Sequence, residues 1–263
     1  MPAPGSADRL LRALGERRPA PVRAALVCAH PDDETIGAGA SLPLLPGLLL
    51  VHVTDGAPRG GADARAAGFA GPAEYAAARR AELRAALALG GAEAELVELG
   101  VPDQGASDAM AEVARQLRAL FAAAGVEACL THPYEGGHPD HDATAWAVHA
   151  AGVPVVEMLS YHAGPGGGLE ADRFLPGPAP VVHALTPAER ARKAAMLRAF
   201  ATQARVLAAF PVEHEAFRAA PAYDFAVPPH PGTLHYERFD WGMTGARWRA
   251  LAAAAREGAA CGA

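Results

Sequence analysis

Two short polar clusters in this chain carry the residue types that metal-assisted chemistry needs. One is His30-Pro31-Asp32-Asp33-Glu34 and the other is His138-Pro139-Asp140-His141. Two neutral imidazoles and a carboxylate make a three-ligand zinc site with an open fourth position, a catalytic rather than structural arrangement. His30 and Asp33 stand three positions apart, as do His138 and His141, so the members of each pair project from one turn. Pro31 and Pro139 are each expected as the first residue of a helix. Asp32 and Asp33 would then lie in a first turn, where the helix dipole favours ionised carboxylates. The candidates are too many for one tetrahedral ion. Three ligands leave a base and an acid, the parts for metal-assisted hydrolysis. A zinc ion lowers the pKa of bound water from about 15.7 to about 7, a carboxylate accepts its proton, and an imidazole protonates the leaving nitrogen. Which residue takes which part stays open on spacing alone.

The elements that must position these clusters follow from hydrophobic patterning. Apolar runs at 22–29, 48–54, 95–99, 126–131 and 153–161 read as strands, and 72–89, 107–125 and 139–151 as helices. A leading helix is expected over 6–18, another from 187 to about 210, and a closing one from 245. Strands alternating with helices predict an α/β, Rossmann-like, doubly wound and mostly parallel sheet with helices on both faces. In that topology the first strand is central and the fourth lies beside it, so both polar clusters meet at the switch point. The expected organisation is one domain over 1–263, with a core at about 20–163 and a C-terminal elaboration over 164–263. Residues 164–180 are Gly/Pro-rich and read as a surface loop.

Composition narrows the function. The chain has 263 residues, 51% hydrophobic, with a formal charge of −6 and no basic block, which argues against a nucleic-acid binder. Lys193 is the only lysine, and this arginine bias reads as coding bias. Cys28, Cys129 and Cys261 are widely spaced, which suits a reducing cytoplasm rather than a disulfide framework. No stretch reads as a signal peptide or a membrane span, so stable membrane insertion is not expected. A homo-oligomer is compatible with the sequence.

Ala29-His30-Pro31-Asp32-Asp33-Glu34 followed by His138-Pro139-Asp140-His141 resembles the PIG-L/LmbE-like family of zinc-dependent N-acetyl-sugar deacetylases, over about residues 22–160. The resemblance implies zinc held by His30, Asp33 and His141, although Fe²⁺, Co²⁺ or Ni²⁺ suits the same donors. It implies Asp32 as general base and His138 as the imidazole that stabilises the intermediate or acts as acid, with Asp140 orienting it. Arg79 and Asp103 resemble positions that contact sugar hydroxyls. The implied partner is a small N-acetylated sugar conjugate. Tyr134 lies four residues before His138, not at the closer spacing that some members use to polarise the carbonyl. The rival readings are an amidase on a larger sugar- or thiol-linked amide, a Rossmann-type binder without hydrolysis, and a metal that merely staples two loops.

Other residues have plainer readings. Glu34 reads as a first-turn or supporting residue, His132 as a core histidine, His52 and His149 as structural, and Asp55 as a turn residue. Arg79 and Arg80 read as solvated helix charges unless one points inward. Tyr223, Phe225, Tyr236 and Trp241 read as a cluster pinning the tail. His214, His230 and His235 have no assigned role, with His235 the best late contributor to the site. Gly37 and Gly39 lack the third glycine of a dinucleotide fingerprint.

Overall fold

Strand β1 (Ala24–Cys28) is buried along its whole length, and its alternating side chains divide the interior in two. Ala24, Leu26 and Cys28 join one core with Leu10, Leu14, Leu83 and Met196. Ala25 and Val27 join the other with Leu117, Phe121, Trp146 and Trp248. A period of two on a strand covered on both sides is the mark of a sandwiched parallel sheet. The computed structural model describes residues 5–164 and 167–261.

The further strands are β2 (Leu48–Pro58), β3 (Ala94–Asp103), β4 (Ala128–Thr131), β5 (Val155–Met158), β6 (His162–Ala163), β7 (Leu169–Glu170), β8 (Val181–Ala184) and β9 (His214–Ala219). Seven of them form one sheet in the order β3-β2-β1-β4-β5-β9-β8, and β6 pairs with β7. Strands β1 to β5 pair in parallel, and β9 and β8 continue the sheet antiparallel. The helices are α1 (Ser6–Gly15), α2 (Asp33–Ala38), α3 (Ala62–Ala66), α4 (Pro72–Gly90), α5 (Met110–Ala124), α6 (Pro139–Ala151), α7 (Pro187–Ala199), α8 (Ala204–Leu207) and α9 (Gly245–Cys261). Helices α4, α5 and α6 end on Gly91, Gly125 and Gly152, all left-handed, the conformation that costs glycine least.

Several local expectations change. Pro139 opens α6, but Pro31 precedes α2, whose cap is Asp32 and whose first residue is Asp33. The helix expected over 187–210 stops at Ala199, because Phe200 turns fully into the core and Thr202 bonds Glu82 through its backbone N–H and hydroxyl. Strand β2 runs on past Asp55, with register shifts against β3. The C-terminal elaboration also completes the sheet. Strand β9 is tied inward by a buried Lys193–Glu215 pair at 3.0 Å, and Glu215 also accepts from Ala40 N–H and the Ser41 hydroxyl. Within the expected loop, Leu169–Glu170 forms β7, while residues 165 and 166 lie outside the described residues. Among the described residues, no helix is long and apolar enough to cross a membrane.

Helix α7 is nucleated by a capping box in which Thr186 accepts from Glu189 N–H and Glu189 accepts from Thr186 N–H. Partial burial opposes the Glu189 charge, but bonds from Thr186, Arg17 and His183 pull its pKa from 4.5 down to about 2. A depressed carboxyl pKa gives stability that is present above the unfolded value and is lost as pH falls through the folded one. Glu189→Ala should therefore cost about 1–2 kcal/mol at pH 7. The deficit should shrink as pH drops from 4.5 toward about 2, as measured by denaturant unfolding of both proteins across that range.

Candidate metal centre and active site

The chain leaves β1 at Ala29 and β4 at His132, and these strands are neighbours with Ala24, Ala25 and Leu26 in register with Ala128, Cys129 and Leu130. Chain direction across the sheet reverses between them, so their carboxyl ends open a crevice. Into it project His30, Asp33 and His141, all buried, each offering a ligand atom within 4.8 Å of the others. Asp33 Oδ2 lies 3.4 Å from His30 Nδ1, and Asp33 Oδ1 lies 3.2 Å from His141 Nε2.

The atoms behind these groups fix which nitrogens face the cluster. His141 Nδ1 lies 3.2 Å from the Ser160 hydroxyl, so Nε2 is left for a cation. His30 Nε2 lies 3.2 Å from both Asp103 Oδ1 and Asp140 Oδ2, so Nδ1 is left facing Asp33. An imidazole that donates its far N–H to a carboxylate or hydroxyl is a more basic and better oriented ligand. This donor set fits a divalent cation. His132 stacks on His141 at 4.0 Å, but its Nε2 accepts Ala29 N–H at 3.0 Å, which removes it from the ligand set and leaves it a core histidine.

Charge follows the same logic. Burial opposes ionisation of Asp33, but His141 and His132 hold its carboxyl well below the usual range. Burial also opposes a charge on His30, yet Asp103 with Asp140 and Asp33 lifts it well above the ordinary value. A cation entering here displaces that proton. Burial together with neighbouring His30 keeps His138 neutral, down to about 3. Burial pushes Asp32 up to about 8 against the pull of Arg79, with Asp33 and Glu34 adding to the rise.

Asp32 caps α2 at φ 128°, ψ −27°, a region that costs a non-glycine residue roughly 1–3 kcal/mol. Two side chains hold it there. Arg79 Nη2 donates to Asp32 Oδ2 at 2.8 Å and to Pro31 O at 2.6 Å, while Nη1 donates to Gly56 O. Glu34 accepts Asp32 N–H at 3.0 Å and is backed by His52 at 3.0 Å. Gly56, at φ 66°, leaves room for the guanidinium, since a Cβ there would sit 2.5 Å from Arg79 Nη1. Arg79 is thus buried rather than solvated, whereas Arg80 is a surface partner of Glu98. The grouping of Cys28 with Glu34 and His52 is support and not a second centre. Burial and then Glu34 push the Cys28 thiol well up, so it stays protonated.

Asp140 departs from expectation. Its carboxylate faces His30 and accepts Gln104 N–H at 2.6 Å and Ala106 N–H at 3.0 Å, because the turn after β3 points those amides at it. His138 is oriented instead by the Asp140 backbone, whose N–H donates to Nδ1 at 3.1 Å. The neutral ring therefore carries its proton on Nε2. Tyr134 is buried with its hydroxyl on Val227 O, which takes it out of the site. Tyr223, Phe225 and Tyr236 pack in the tail core as expected, but Trp241 lies tilted against His138 at 4.8 Å and lines the cavity. His214, His230 and His235 bond backbone outside the cavity lining, His235 through its own N–H to Gly136 O. Ser160, the Arg79–Asp32 bond and the amides on Asp140 escaped the sequence reading, since no local pattern marks them. The cavity holds about 870 Å³ and also receives Asp103, Gln104 and Tyr161.

A doubly wound sheet with a His–Asp–His cluster at its switch point defines a Rossmann-like α/β protein with a metal-type centre. The model of the PIG-L family, described as GlcNAc-PI de-N-acetylase, matches residues 25–152 of the chain. No curated protein matches it. It is similar in fold to the A40926 pseudoaglycone deacetylase Dbv21, at 21% identity and TM-score 0.58 over 77% of this chain and 98% of that one. A triple mutant of a deacetylase of the teicoplanin biosynthetic pathway gives 22% identity and TM-score 0.59 over 77% and 99% of the two chains. N,N'-diacetylchitobiose deacetylase from Pyrococcus horikoshii gives 19% and 0.56 over 85% and 94%.

Loss of a ligand and loss of its support should separate in a metal titration. Asp33→Ala should abolish stoichiometric zinc binding. Ser160→Ala should bind zinc roughly 10-fold more weakly, as read by competition with a chromophoric chelator. Equal zinc affinity in wild type and Asp33→Ala would discard this centre.

Proposed function

We propose that this protein is a zinc-dependent deacetylase, a hydrolase that removes the acetyl group from an N-acetylated amino sugar of the N-acetylglucosamine type. The observation that carries the reading is the convergence of His30, Asp33 and His141 within 4.8 Å beside Asp32 and His138. When bound by His30, Asp33 and His141, a divalent cation would acidify a water and polarise the amide carbonyl. Zinc is the first choice, and Fe²⁺, Co²⁺ or Ni²⁺ suits the same donors.

The chain's own groups do the rest. Asp32 is held at Oδ2 by Arg79, and its Oδ1 makes no hydrogen bond among the described residues. With a cation held beside it by Asp33, the burial that raises the Asp32 pKa is offset, and the ionised oxygen then accepts a proton from the attacking water and passes it to the amine nitrogen as the C–N bond breaks. The products are acetate and a free amino sugar. His138, neutral and protonated at Nε2, is a donor toward the oxygen that gains negative charge, so it acts as stabiliser and not as acid. Asp140 orients His30. Asp103, whose Oδ1 backs His30 Nε2, lines the cavity and is suited to meet a sugar hydroxyl, with the Arg79 end of α4 beside it. The whole chain serves as one deacetylase domain, and the buried free thiols Cys28 and Cys129 suit a cytoplasmic setting.

Asp32→Asn should lower kcat by about 10²–10⁴-fold while zinc content stays stoichiometric. Acetate release from N-acetylglucosamine conjugates, with metal analysis of the same samples, makes the check. Full turnover by the variant would end the mechanism.

A further inference from the structure

Beyond the catalytic cluster the cavity continues along α4. Arg79 marks the catalytic end, and Tyr75, one turn back, carries the floor under a wing roofed by the segment Ala201–Leu207. The polar groups of this wing are engaged with one another. Thr202 bonds both oxygens of Glu82 at 2.9 and 2.6 Å, and the Gln203 amide nitrogen donates to the Tyr75 hydroxyl at 2.5 Å. Phe69 packs its ring on Tyr75 at 5.5 Å. What the wing presents to a ligand is therefore apolar, namely Ala66, Ala67 and Phe69 on one side and Ala204, Val206 and Leu207 on the other. Val206 is 58% exposed, so its burial contributes little to the fold. Besides the Gln203 carbonyl, the polar groups left are Asp63 and Arg205, both exposed.

We propose that this wing binds an apolar aglycone, an alkyl or aryl group carried by the N-acetylated sugar, in preference to a second sugar ring. The proposal rests on reading the metal end as the deacetylase site. The volume, about 870 Å³, is near the top of the roughly 300–1,000 Å³ of ligand pockets, which leaves room past the acetylated ring. A second sugar would bring several hydroxyls needing donors and acceptors, and the part-buried polar groups of the wing, Glu82, Thr202 and Tyr75, are already paired, which leaves the Gln203 carbonyl and the exposed Asp63 and Arg205 at its rim. Hydroxyls laid against an apolar wall lose water without gaining partners, whereas each methylene moved from water to that wall is worth about fourfold in affinity.

The test compares methyl and octyl 2-acetamido-2-deoxy-β-D-glucopyranoside with N,N'-diacetylchitobiose as substrates of the zinc-loaded protein. In parallel, calorimetry on metal-free protein compares the deacetylated octyl and methyl glucosaminides, below micelle-forming concentrations. The octyl compound should exceed the methyl one at least tenfold in kcat/KM and in affinity, with diacetylchitobiose close to the methyl glycoside. Val206→Asp should bring the octyl-to-methyl ratio close to one in both measurements. Equal calorimetric affinities, a preference for diacetylchitobiose, or an unchanged ratio in Val206→Asp would each overturn the proposal. An octyl preference in calorimetry without any acetate release would sink the deacetylase reading and leave the apolar wing standing.

Discussion

The parallel pairing of β1 with β4 is the constraint on which the site depends, because His30 and Asp33 follow one strand and His138 and His141 the other. Both strands are buried on both faces. Slipping either by one residue would exchange the side chains of the two cores, putting Ala25 and Val27 where Leu26 and Cys28 pack. Packing of the two hydrophobic layers thus sets the register, and the register sets the spacing of imidazoles and carboxylate at the strand ends. Helix α6 turns the same constraint into orientation. His138 caps it, Pro139 opens it, and His141 follows within the first turn, facing Asp33.

The cluster gathers like charges in a dry place, which costs stability unless each is answered. Asp33 has His30 N–H at 2.8 Å and the adjoining rings, Asp140 has two backbone amides, and Asp32 has Arg79. A cation bound only by the native arrangement would add stability in proportion to its concentration over its dissociation constant. The high proton affinity of His30 marks where positive charge is already wanted. The carboxylates that face the cation-sized cluster are thus the same ones whose burial the fold must offset.

The doubly wound architecture was legible because its signals are local and repetitive: apolar runs of strand length, Pro at helix starts, Gly at helix ends. The two clusters were legible because each packs its chemistry into a few consecutive residues. The rest depends on neighbours distant in sequence. Nothing around Ser160 says that it lies behind His141, and nothing around Arg79 distinguishes it from Arg80, one turned to Asp32 and the other to solvent. Asp140 looked like a partner of His138 because they are adjacent, whereas the turn at Gln104, itself left-handed at φ 67°, captures its carboxylate from across the sheet. The C-terminal strands were hidden because β9 reads His-Glu-Ala-Phe-Arg-Ala, with the buried Glu215 and Arg218 answered by Lys193 and Glu157 where alternation would ask for apolar side chains.

Asp32 shows how far such long-range terms reach. Its backbone conformation is unfavourable on its own, so the local sequence cannot hold it. It is held by a guanidinium from α4 that fits only because Gly56 of β2 lacks a side chain, and by Glu34, which His52 of β2 fixes in turn. One glycine and one arginine from different elements therefore decide where the Asp32 carboxyl stands relative to Asp33. The same α4 carries Tyr75 and Glu82, which anchor the 201–203 segment over the cavity. A shift of that helix would move the Asp32 carboxyl and the distal wall together, so the geometry at both ends of the cavity is set by one element.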